Sequence, residues 1–96
     1  MIEQQQGDVV LIGKKPTMNY IIACLTLFNS GKQTVTVRAR GLMISHAVDT
    51  VELLKRAFIK DLEVQKIIIG SQDFQNTNGF SNLIPTIDIR ISKSKN

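Results

Sequence analysis

Four cations in two short loops carry the clearest chemistry in this 96-residue chain. They lie in Gly13-Lys14-Lys15-Pro16 and in Arg38-Ala39-Arg40-Gly41. Side chains that stay cationic near neutral pH bind anions, and the arginine fork matches phosphate oxygens in particular. Between Asp8 and Asp49 there are five basic residues (Lys14, Lys15, Lys32, Arg38, Arg40) and no acidic one. Elsewhere seven basic residues face eight acidic ones, so the whole net charge of +4 originates in the first half. Charge clustered in this way favours polyanions and speeds encounter with them. The nucleic-acid backbone is the anion it predicts.

Other chemistries find less support. The run Gly13-Lys14-Lys15-Pro16-Thr17 superficially suggests a nucleotide-binding P-loop. It lacks that loop's first glycine and spacing, and proline stands where a backbone N–H is required. No serine, histidine and acid combine as a triad, and no two carboxylates stand out as an acid–base couple. His46 reads as a helix-surface residue near the second loop, with nothing in sequence to orient it as a base. One cysteine and one histidine cannot build a structural zinc site of the usual type. Cys24, at helical spacing among Ile21, Ile22, Leu25 and Phe28, reads as a small buried hydrophobe. No cofactor, metal or enzymatic activity is expected.

Each basic loop follows an apolar strand-like run and precedes a helix-like one. Asp8 to Gly13 is nearly continuous and β-branched, the pattern of a strand covered on both faces. Pro16 suits the first turn of a helix. Met18, Ile21, Ile22, Leu25 and Phe28 then form one apolar helix face, ended by Asn29-Ser30-Gly31 with Gly31 as a left-handed cap. Thr34 to Arg40 alternates, with Val35 and Val37 inward and Arg38 outward. A second helix, capped by Ser45 or a neighbour, presents Ile44, Ala47, Val48, Val51, Leu54 and Phe58 on one face.

Glu63 to Gly70 and Leu83 to Ser92 read as two further strands, Ile87, Ile89 and Ile91 pointing inward and Asp88 and Arg90 outward. A polar segment, Ser71 to Asn82, separates them and holds the turn signal Asn76-Thr77-Asn78-Gly79. Pro85 suggests an edge or bulge. The order β-α-β-α-β-β implies one α/β domain over residues 1–96. It is a two-layer sandwich of two helices on a four-stranded mixed sheet, its first two strands parallel and its last two a long antiparallel hairpin arm. A chain this short has a small core, which dimerisation would supplement. No apolar run approaches the ~20 residues of a membrane-spanning helix, and the polar start carries no secretion signal, so a cytoplasmic location is expected.

The segments Val10-Leu11-Ile12-Gly13-Lys14-Lys15-Pro16-Thr17-Met18-Asn19-Tyr20 and Ala39-Arg40-Gly41, with Ile44-Ser45-His46-Ala47-Val48-Asp49, resemble the Alba proteins, small archaeal chromatin proteins. The resemblance runs from about Asp8 to Ile91. It implies a dimer, with itself or with an Alba paralogue, that binds double-stranded DNA and often RNA with little sequence preference. It also implies compaction or bridging of DNA, association with the chromosome, and acetylation at Lys14 or Lys15. By position, Lys14 and Lys15 match the family's paired lysines, and Arg40 matches the arginine before the second helix. Asn19 and Tyr20 fall in the same motif, where they support the loop, although Tyr20 reads equally as core. Phe58 matches an aromatic of dimer–dimer packing; its spacing from Leu54 reads equally as core.

Two departures stand out. His46 occupies a position where the family often has lysine, so a phosphate contact there is lost or pH-dependent. The arm from Ser71 to Leu83 has no lysine or arginine and carries Asp73. Its amides, Gln72, Gln75, Asn76, Asn78 and Asn82, are suited to base edges or sugars in a minor groove. Phe74 and Phe80 suit packing across the hairpin or stacking on unpaired bases. The arm, without basic residues and with two phenylalanines, motivates an alternative, an RNA-binding ribonucleoprotein subunit on the same fold.

Overall fold

The alternating run Thr34–Arg40 forms the parallel partner that the first strand needs. In the computed structural model, which describes residues 8–75 and 81–94, β1 (Val9–Leu11) and β2 (Thr34–Arg40) pair in parallel with Val10 opposite Val37. Helix α1 (Thr17–Asn29) joins them. A one-turn 3-10 helix, Gly41–Met43, leads into α2 (Ile44–Leu53), and a π-helical turn, Leu54–Phe58, follows it. Strands β3 (Leu62–Gln75) and β4 (Ser81–Lys93) are antiparallel to each other, and β4 is antiparallel to β2. The sheet order is β1-β2-β4-β3, the mixed four-stranded sheet expected from the sequence.

The strands β3 and β4 outrun the rest of the sheet. Strand β2 pairs with β4 only as far as Arg40 opposite Thr86, whereas β3 and β4 stay paired to Gln75 opposite Ser81. Most of the polar segment is therefore strand, and beyond Thr86 the hairpin continues as a two-stranded arm. Pro85 lies within β4 rather than at its start. It falls where β2 has ended, on a strand with one free side that tolerates a missing N–H. The expected turn at Asn76 to Gly79 lies outside the described residues.

The core sits between one face of the sheet and the helices. Val35, Val37 and Ala39 of β2 and Ile87, Ile89 and Ile91 of β4 are buried against Ile21, Cys24 and Phe28 of α1 and against Ala47, Val51 and Leu54. Three expected faces are rotated or narrowed. Strand β1 is covered on one face only, since Leu11 is 66% exposed. It is an edge strand, and helices cover just one side of the sheet. In α1 the buried stripe is Tyr20, Ile21, Cys24 and Phe28, while Met18 and Ile22 face outward. In α2 no side chain caps the N-terminus, Ser45 included, and Val48 is exposed. Phe58 also leaves the buried face, at 43% exposed. The wider turn closed by the Ile59 N–H to Leu54 carbonyl bond (2.8 Å) breaks the 3.6-residue phase that would have stacked Phe58 on Leu54.

Gly31 and Gly41 both take positive φ, 104° and 59°. The first gives α1 the left-handed exit read from the sequence. The second turns the chain from β2 into the 3-10 helix.

Candidate nucleic-acid interface

The first basic loop is built on Tyr20. Its ring is buried at the start of α1, and its hydroxyl oxygen accepts the N–H of Gly13 (2.9 Å) and of Lys15 (3.1 Å). A Cβ added at Gly13 would lie 3.3 Å from that oxygen, which explains glycine at the loop's first position. Tyr20 is thus both core and loop support, and each of its two readings holds.

His46 closes the loop from the other helix. Its Nδ1–H donates to the Gly13 carbonyl (2.9 Å), and Thr17 Oγ1 lies 3.1 Å from Nε2. A carbonyl only accepts, so Nδ1 carries the proton; in the neutral ring the Thr17 hydroxyl then donates to Nε2. The imidazole meets Tyr20 edge to face, with 5.4 Å between ring centroids. The surface residue expected from the sequence is instead a half-buried peg between the start of α2 and the basic loop. Both ring nitrogens have partners within the protein, and the imidazole ties the start of α2 to the loop.

These contacts leave the lysine heads outward. Lys14 and Lys15 are exposed, and among the described residues no carboxylate lies within ion-pairing distance of either. They diverge. Lys14 borders an open groove of about 810 Å³ that runs from the loop across the helix-free face of the sheet. Lys15 and Asn19 border a separate shallow concavity on the α1 side of β1. The α1 N-terminus between them has no acidic residue in its first turn and no side-chain cap, which leaves its positive dipole end available to an anion.

The second loop treats its arginines differently. Arg38 and Asp88 are direct cross-strand neighbours. The guanidinium forms a bidentate pair with the carboxylate, Nε to Oδ1 at 2.8 Å and Nη2 to Oδ2 at 3.0 Å. That hydrogen bonding holds the guanidinium's pKa above its already high value. Among the described residues Arg40 has no such counter-ion, and it donates from Nη1 to Gln72 Oε1 of the arm at 3.2 Å. Both arginines line the same groove as Lys14, so the two loops do share one edge of the sheet.

Gln72 therefore joins the site through Arg40. Of the other arm amides, Asn76 and Asn78 lie outside the described residues, as does Phe80. The backbone of Gln75 pairs with Ser81, but its side chain is not among those described. Two further participants escaped sequence reading. Thr17 was masked by its ordinary place at a helix start, and Asp88 became a partner of Arg38 only through strand register. Cys24 is fully buried, and burial pushes its thiol up to about 11, which keeps it unreactive. Among the described residues no group of three His, Cys, Asp or Glu side chains could hold a metal ion. No described helix is long and apolar enough to cross a membrane.

Comparison with known proteins adds to this geometry. The family model described as Alba matches residues 8–71. The chain is 36% identical over 90 residues to the DNA/RNA-binding protein Alba of Methanocella arvoryzae, covering 94% of both chains. Among solved structures it is similar to Alba from Thermoplasma volcanium, with TM-score 0.82 and 36% identity over 88% of this chain and 99% of that one. The fold also resembles ALBA1 from Trypanosoma brucei, with TM-score 0.76 and 24% identity over 93% of this chain and 71% of that one.

Proposed function

The chain belongs to the Alba family, and from that premise we propose that it is a non-enzymatic, sequence-tolerant binder of double-stranded DNA and of RNA. One observation carries the reading. Two strand-to-helix loops bring Lys14 and Arg40 to a single open groove, and among the described residues neither has a carboxylate partner. A cation without an internal counter-ion is free to replace the counter-ions of a phosphate backbone. Lys15 extends the basic surface around the N-terminus of α1. The name of the Methanocella arvoryzae relative, a DNA/RNA-binding protein, points the same way.

The test is a salt titration of binding to duplex DNA and to structured RNA, for wild type and for Lys14→Ala combined with Lys15→Ala. The log–log slope on duplex should be about −0.9 per phosphate neutralised and should become shallower by about two such contacts per protomer in the variant. Affinity should fall by roughly tenfold or more near physiological salt. An unchanged slope would place the interface elsewhere. Strong preference for RNA would favour the ribonucleoprotein reading, which the absence of lysine and arginine from the arm supports.

A dimer, with itself or with a paralogue, belongs to the same proposal. Val64, Ile67 and Ile69 of β3 stand opposite the buried Ile91, Ile89 and Ile87, yet they are 42%, 57% and 77% exposed. Helices do not reach this edge, and an apolar strand left bare is a natural seat for a second copy. Sedimentation at micromolar concentration should give a dimer mass; a monomer would contradict this. Phe58, half exposed at the end of the π-turn, is available to contacts between dimers that would bridge or compact DNA. Acetylation of Lys14 or Lys15 would remove positive charge from the first basic loop, and chromosome association would follow from duplex binding.

A further inference from the structure

We propose that Asp88 limits phosphate binding in the sheet groove by holding Arg38 as its own partner, so that Arg38 braces two strands instead of neutralising a nucleic-acid phosphate. The inference rests on the nucleic-acid reading and deepens it. Both oxygens of Asp88 are engaged by the guanidinium fork, at 2.8 and 3.0 Å. The pair is set by the fold, because β2 and β4 place the two residues directly opposite one another. It lies in the middle of an outward row that runs from Leu11 on β1 to Ile68 on β3. All four residues line the groove that Lys14 and Arg40 also border.

Phosphate presents to arginine the same two-oxygen face that a carboxylate does. To capture Arg38, a phosphate must displace Asp88 and leave that carboxylate unpaired on the groove floor. It then sits beside an anionic backbone, where like charges repel. Arg40 meets neither obstacle. Its cross-strand neighbour is the neutral Thr86, and its bond to Gln72 is to an uncharged amide. The floor therefore carries a self-neutralised pair that offers a phosphate no net attraction, and phosphates are directed to the loop end of the groove, at Lys14 and Arg40. Exclusion of this kind shapes where a ligand lies as much as attraction does. Asp88 is a specificity-determining residue, acting through Arg38.

The experiment is a salt titration on one mixed-sequence duplex with four proteins: wild type, Asp88→Asn, Arg38→Gln, and the two changes combined. Melting curves establish that each is folded. Asp88→Asn should raise affinity by roughly three- to tenfold near 0.1 M salt and steepen the slope by about 0.9 for each groove engaged. Arg38→Gln alone should leave the slope at its wild-type value. The combined variant should lose the extra slope, because the gain runs through Arg38. Three results would each overturn the proposal: no gain in Asp88→Asn, a steeper slope retained in the combined variant, or a shallower slope in Arg38→Gln. Failure of the underlying reading looks different. Wild type would then show no salt-dependent duplex binding for any variant to modify, and both ideas would fall together.

Discussion

The two basic loops have similar composition and opposite construction. Gly13 to Pro16 is held by side chains from elsewhere, the Tyr20 hydroxyl and the His46 imidazole, and its lysines are left free. Arg38 to Gly41 is shaped by its own backbone, β2 followed by a left-handed Gly41, and its arginines are engaged by Asp88 and Gln72. Counting cations in sequence treats the loops as equal contributors to an anion site. Their partners make them unequal, because a charge already paired inside the protein must be released before it binds anything else.

That contrast can be broken or sharpened in order of expected effect. The largest change should come from removing the two free lysines, the roughly tenfold loss given above, with the Asp88 series bringing Arg38 into play next. Tyr20→Phe comes third. It keeps every charge but leaves the Gly13 and Lys15 amides without their acceptor, at a cost of about 1–3 kcal/mol in stability. Affinity should fall a few-fold while the salt slope stays the same, since no cation is lost; a shallower slope would mean that the loop no longer delivers its lysines to phosphate. Gly41→Ala should have the smallest effect on binding. An alanine Cβ there would be only in ordinary contact with Ile84, at 3.5 Å. The penalty is the left-handed φ of 59°, about 1–2 kcal/mol, read as a melting point several degrees lower. Binding within twofold of wild type would confirm that the second loop is set by backbone and not by a precise fit to the ligand.

Much of this was legible in one dimension. The alternation of Val35, Val37 and Ala39 and of Ile87, Ile89 and Ile91 announced two strands facing one core, and both basic loops were visible as strand-to-helix connections. Less legible was which side of an element the protein would cover. Ile22 and Val48 fit an apolar helical face, yet they are exposed, because the sheet supports only one stripe of each helix. Phe58 fits the same periodicity as Leu54 but turns outward through a π-turn that no spacing rule foretells. The isoleucines of β3 form an apolar run, yet they lie bare, since the helices end short of that edge.

The sequence by itself determined the element order, the α/β class and the concentration of positive charge in the first half. These depend on local periodicity, on glycine and proline chemistry, and on residue type. Tertiary structure alone decided which charges are available. The register of β2 against β4 delivers Asp88 to Arg38, fifty residues apart in the chain. The packing of α2 beside α1 delivers His46 to the carbonyl of Gly13, thirty-three residues away. A hydrogen bond or ion pair acts over about 3 Å. Whether two residues so distant in sequence come that close is set by strand pairing and helix packing, which no local pattern records.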